Sequence, residues 1–258
     1  MGTGAMTSPI VAALVATGIA VAGAAIGMDL AGAFRTRLQM LVHVATGALL
    51  AITAFDILPE AKAALTWPVF LACALAGYGL LWAVGKFVFY VCPSCAITHI
   101  DEASSMARRG SLILLATALG THCLLDGLAI SAGSDLPVRA GMGALIAVAI
   151  HKLPEGLALG LLLTSAGYRR RSAVAIASMI EGVTVIGAIA AALFSPSPGP
   201  APVGAILALV GGGFVYLVTN AFGGALEHPA ELPRVRTITA EALSFAVTGV
   251  LFLLIGRV

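Results

Sequence analysis

Two ten-residue stretches of the chain are near copies of each other, and each carries side chains that bind metal ions. One reads His122-Cys123-Leu124-Leu125-Asp126-Gly127-Leu128-Ala129-Ile130-Ser131, the other His151-Lys152-Leu153-Pro154-Glu155-Gly156-Leu157-Ala158-Leu159-Gly160. In both, a histidine and a carboxylate stand four residues apart, a spacing that puts them on one face of a helix, and glycine follows the acid at once. Two such helices side by side offer two imidazole nitrogens and two carboxylates, a set that suits zinc and also iron or manganese. The paired carboxylates would neutralise a dication and so lower the cost of burying it, while Gly127 and Gly156 remove bulk beside the ligands. Pro154 has no N–H to give the carbonyl of Ile150, which leaves an acceptor free beside His151. The plainer alternative is that these polar groups only hold helices together.

Both stretches lie inside long apolar runs. The 258 residues are 60% hydrophobic and 10% charged, against about 25% charged in a soluble domain, and the mean hydropathy is +1.04. Runs of about 20 apolar residues are helical spans, being far too long for barrel strands. The pattern predicts an all-α integral membrane protein with eight spans, near 9–33, 39–58, 67–91, 111–132, 140–165, 172–194, 203–226 and 237–256. The whole of 1–258 reads as one transmembrane domain, with 92–110 a cytoplasmic loop between spans three and four. His122 and His151 each fall about 11 residues into a span, near the midplane at about 1.5 Å per residue. No basic segment precedes Val11, so no cleavable leader is expected. A net charge of +2 with scattered basic residues argues against nucleic-acid binding.

Basic residues set the topology. Arg35, Arg37, Arg108, Arg109, Arg169, Arg170, Arg171, Arg234 and Arg236 fall in alternate loops, nine charges on one side, while Lys62, Arg139 and Arg257 fall on the other. Excess lysine and arginine marks the cytoplasmic face, so both termini are expected outside it, most simply in a bacterial inner (plasma) membrane. Gly23-xxx-Gly27 and Gly156-xxx-Gly160 have the spacing of tight helix packing, and Gly211-Gly212-Gly213 marks a flexible or close-contact point in span seven. Glu181 sits mid-span and needs a partner; Lys152 is the cation at that depth, so an ion pair between them is expected.

These residues resemble the ZIP family of divalent metal transporters, from span two to span eight. The family's H-N-x-x-D-G pattern is similar to His122, Cys123, Asp126 and Gly127, with cysteine in the asparagine place. Its H-K-x-P-E-G variant is matched by His151, Lys152, Pro154, Glu155 and Gly156, and its H-L-L-P-E-A by Asp56-Ile57-Leu58-Pro59-Glu60-Ala61, with Asp56 in the histidine place. Glu181-Gly182 and Gly212-Gly213-Phe214-Val215-Tyr216 resemble its motifs in spans six and seven. The resemblance implies a 3+2+3 arrangement, with spans one to three and six to eight as inverted repeats around a site on spans four and five. It implies a secondary transporter rather than an enzyme, moving zinc, iron or manganese into the cytoplasm by alternating access, often as a homodimer. Members with two adjacent metals have a carboxylate where Lys152 stands, so a second metal is expected to be lost or weakened here. Cys123 adds a soft thiolate, which favours zinc or cadmium over manganese. Asp56 and Glu60 are expected as an extracytoplasmic entrance, the alternative being solvated acids at a helix end.

Cys92, Cys95 and His99 could hold zinc in the long loop, or be reduced thiols and a solvated imidazole. Glu227 and His228 could relay an ion outward at the cytoplasmic end of span seven, or be a solvated loop end. His43 lacks a carboxylate nearby in sequence and reads as a satisfied core histidine. Beyond the ion, the expected partner is membrane lipid. Two rivals remain: an intramembrane zinc metallohydrolase, although H-E-x-x-H is absent, and a metal sensor without transport that uses the loop cysteines.

Overall fold

The computed structural model describes residues 9–29, 35–87, 112–134, 138–194, 199–227 and 234–255, and every regular element among them is helical. The helices are α1 (Pro9–Asp29), α2 (Arg35–Ile52), a π-helical segment (Thr53–Ile57), α3 (Leu58–Ala64), α4 (Trp67–Phe87), α5 (Leu112–Ser134), α6 (Val138–Ser165), α7 (Arg170–Glu181), α8 (Val183–Phe194), α9 (Pro200–Glu227) and α10 (Arg234–Ile255). Seven helical stretches among the described residues are long and apolar enough to cross a bilayer, and α10, at 22 residues, is an eighth helix of spanning length. A helix satisfies its own backbone groups, which lipid cannot do.

Two spans depart from simple helices where the sequence supplies a reason. The second was expected to end at Leu58 but runs on as helix to Ala64, through Pro59. Proline cannot donate to the residue four back, and the chain widens into a π turn just before it: the N–H of Leu58 reaches the carbonyl of Thr53, five residues away. The sixth span is interrupted at Gly182, between α7 and α8. The tight link from α6 to α7 turns at Gly167, whose φ of 88° is left-handed and suits glycine.

Small residues let the helices meet backbone to backbone in four pairs. A methyl on Gly27, Gly156 or Gly160 would overlap carbonyls across the α1–α6 contact, and one on Gly127 would overlap the Thr184 carbonyl of α8. Gly77 and Gly212 join α4 to α9 in the same way, and Gly47 joins α2 to α10 beside the Glu241 carbonyl. The α2–α10 contact is also polar. The buried His43 places Nδ1 2.6 Å from Glu241 Oε1, and Ser244 donates to the Val44 carbonyl at 2.7 Å. His43 is therefore a satisfied core histidine, its acid supplied from a distant span. Val42 of α2 packs against Ala158 and Leu161 of α6 through side chains.

A clean test follows from two glycines on different surfaces. Gly127→Ala should destabilise the detergent-solubilised protein by about 1–3 kcal/mol through overpacking, read as a lower melting temperature. Gly79→Ala, where an added methyl meets nothing within 4 Å, should be neutral or slightly stabilising.

Candidate metal site

His122 is the eleventh of 23 residues in α5 and His151 the fourteenth of 28 in α6, so both are near the middle of their helices. Each brings its carboxylate one turn further on, onto the face where the two helices meet. The imidazole rings are 5.4 Å apart between centroids. His122 Nε2 lies 3.5 Å from Asp126 Oδ2 and 3.4 Å from Glu155 Oε2. His151 Nε2 lies 3.4 Å from Asp126 Oδ1 and 3.8 Å from Glu155 Oε2. One ligand atom from each of the four residues lies within 4.8 Å of all the others, and all four side chains are buried.

Those separations are long for hydrogen bonds and right for something else. Ligands about 2.0–2.1 Å from one zinc in a tetrahedron stand about 3.3–3.4 Å from one another. The His–carboxylate separations are thus close to those of neighbouring ligands around one ion. The His151 ring is oriented for that: its Nδ1 is 2.7 Å from the Ala147 carbonyl, so the proton assigned to Nδ1 is donated there and Nε2 presents its lone pair to the centre. Phe214 of α9 stands edge-on to this ring at 5.5 Å and walls it from one side.

Lys152 does more than pair with Glu181. Its Nζ is 2.8 Å from Glu181 Oε2, but also 2.9 Å from Asp126 Oδ2, 3.2 Å from Glu155 Oε2 and 3.3 Å from Cys123 Sγ. The i,i+3 spacing of Lys152 and Glu155 was visible in the sequence as a signal for that pair. The convergence with Asp126 was not, because it depends on how α5 and α6 are rotated. Cys123 Sγ faces Glu181 Oε2 at 3.6 Å and Glu155 Oε1 at 3.9 Å, in a second group of ligand types, Cys123, Glu155 and Glu181. Glu155 belongs to both groups. Thr17 of α1 donates to the Glu181 carbonyl at 3.2 Å, tying α1 to the same region.

The other expected site residues are placed elsewhere. Asp56 lies in the π-helical segment and Glu60 one turn on in α3, both half-buried and outside the two ligand clusters. Glu227 is the last residue of α9. Cys92, Cys95, His99 and His228 lie outside the described residues.

Among known proteins, a family model described as "ZIP Zinc transporter" matches residues 96–255, which include α5 to α10 and every residue of the two clusters. A comparison with curated proteins gives no match.

Proposed function

The chain belongs to the ZIP zinc transporter family, and from that premise we propose that it carries zinc, or a similar dication such as cadmium, iron or manganese, into the cytoplasm by alternating access. His122, Asp126, His151 and Glu155 are the ligands in this reading, with Cys123 beside them. The observation that carries it is the four-residue cluster, buried at the middle of two adjacent helices with His–carboxylate separations of 3.4–3.8 Å. Buried ionisable groups in a membrane protein are costly, and a transported cation accounts for keeping them.

Charge supports a single dication. The acids Asp126, Glu155 and Glu181 face one ammonium, leaving two formal negative charges for the ion to cancel. Lys152 in this reading takes the place of a second metal. The nine-to-three division of basic residues supports cytoplasmic loops after the odd-numbered spans and both termini outside, and the whole chain then forms one transporter domain in the 3+2+3 arrangement. Asp56 and Glu60 would form the outer entrance, Glu227 and His228 the exit, and 92–110 with its cysteines and His99 the cytoplasmic loop.

The moving part is larger than the two ligand helices. Backbone contacts through Gly27, Gly156 and Gly160 fasten α6 to α1, and Gly127 fastens α5 to α8. In this reading the two locked pairs, spans one with five and four with six, travel together because spans four and five share the ligands, while two, three, seven and eight stand still. Side chains such as Val42 against Ala158 and Leu161 meet at the boundary between these groups. A Cβ at Gly213 of α9 would sit 3.5 Å from Leu125 Cδ1 across that boundary, whereas Gly120 and Val183 approach to 3.9 Å within the moving group. Linking cysteines at 125 and 213 with a short bifunctional reagent should stop zinc flux in vesicles; linking cysteines at 120 and 183 should leave it. Equal flux in the two cross-linked proteins would remove the boundary from this mechanism.

A further inference from the structure

We propose that Thr17 is a positioning residue of the zinc site: its hydroxyl holds the backbone of Glu181 so that this acid, rather than the metal ligands, keeps the Lys152 ammonium. The inference rests on the ligand set proposed above. A threonine inside a helix can return its hydroxyl to the carbonyl one turn back. Thr46, Thr53, Thr117, Thr121 and Thr164 all do so, at 2.7 to 2.9 Å. Thr17 of α1 donates instead to another span, reaching the Glu181 carbonyl at 3.2 Å.

That carbonyl needs an outside donor because the sixth span breaks beside it. In an unbroken helix the N–H of Val185 would reach the carbonyl of Glu181. Here Val185 and Ile186 both donate to the Gly182 carbonyl, at 3.0 and 3.4 Å, and α8 starts afresh at Val183. A backbone carbonyl left unpaired away from water costs free energy, and the Thr17 hydroxyl supplies the missing bond. The anchor is itself held in place. A methyl on Gly156 would overlap the Ala20 carbonyl, so α1 meets α6 backbone to backbone three residues beyond Thr17 and four beyond Lys152. The same bond joins span one to span six, and so stitches one locked pair to the other.

Position matters for Glu181 because its reach decides where the ammonium rests. Glu181 Oε2 is 2.8 Å from Lys152 Nζ, while Oε1 has no hydrogen-bond partner among the described residues. Asp126 Oδ2 is 2.9 Å from the same ammonium and also faces His122 Nε2 at 3.5 Å. Glu155 Oε2 is 3.2 Å from the ammonium and 3.4 Å from His122 Nε2. If Glu181 draws back, the ammonium leans on Asp126 and Glu155, where it occupies ligand oxygens and repels a dication. Thr17 therefore raises zinc affinity without touching zinc.

The test is equilibrium zinc binding by the full-length protein in detergent, read by competition with a zinc-sensitive dye. Thr17→Val keeps the shape and loses the donor. One hydrogen bond is worth up to about tenfold, so the variant should bind zinc more weakly by up to that factor. Half-maximal uptake by vesicles should move to higher zinc in step, with the maximal rate retained. Thr17→Ser keeps the hydroxyl and should bind as the parent does. Glu181→Gln should weaken binding at least as much, and Thr17→Val should add nothing on top of it. Should Thr17→Val fold poorly, Thr17→Ala carries the same comparison. A lower melting temperature with unchanged zinc affinity makes Thr17 a packing residue only and overturns the proposal, as does a full further loss in the Glu181→Gln background. A parent protein that binds no zinc removes the ligand set, and this proposal with it; a parent that binds zinc no better than Thr17→Val removes this proposal alone.

Discussion

His122→Ala and Glu155→Ala should each reduce zinc uptake by reconstituted vesicles to the level of protein-free vesicles. Each change removes one of four groups whose ligand atoms lie within 4.8 Å of one another. Loss of a group that merely orients a ligand costs about 10–100-fold in metal affinity, so loss of a ligand should cost at least as much. Glu155 has a second reason to matter, since its two carboxylate oxygens face both His122 and Cys123. Neither change should prevent folding, because the helices are fastened through Gly27, Gly156, Gly160 and Gly127 rather than through the cluster. Uptake measured with a zinc-sensitive dye inside the vesicles, beside the melting temperature of the same preparation, separates lost transport from lost protein. Normal uptake by either variant would sink the proposed ligand set.

The repeated His-xxx-carboxylate-Gly pattern made the four-residue cluster legible because a one-turn spacing is a local property of any helix. Membrane burial was equally legible, since twenty apolar residues in a row leave few other structures open. What sequence could not supply was rotation and partnership. That Lys152 reaches Asp126 as well as Glu181, or that His43 finds Glu241 from 198 residues away, follows from how spans pack, and their sequence separation hides it. The π turn before Pro59 was missed for a related reason. Proline signals a lost hydrogen bond, and a helix can either stop there or shift register, and the sequence does not say which. The glycine pairs read correctly as tight packing, but which helix each one met was set by the tertiary fold, and that choice defines the helix pairs.

Lys152→Met should lower the stability of the zinc-free protein sharply and enlarge the stabilisation that zinc gives. The side chain is fully buried with its ammonium against three carboxylates, so its removal leaves those buried acids without a cation. Removing one partner of a buried ion pair costs about 3–5 kcal/mol, and methionine restores the volume but none of the charge. A dication bound by Asp126 and Glu155 supplies positive charge at the same place, so the variant should recover more on adding zinc than the parent does. The affinity rises with it, because the tethered ammonium no longer competes for the same oxygens. Tighter binding slows release, so flux should fall although every ligand is present. The measurement is the melting temperature in chelator and across a zinc titration, with vesicle uptake on the same samples. Equal melting of parent and variant in chelator, with equal shifts by zinc, would show that Lys152 does not balance the acids of the site.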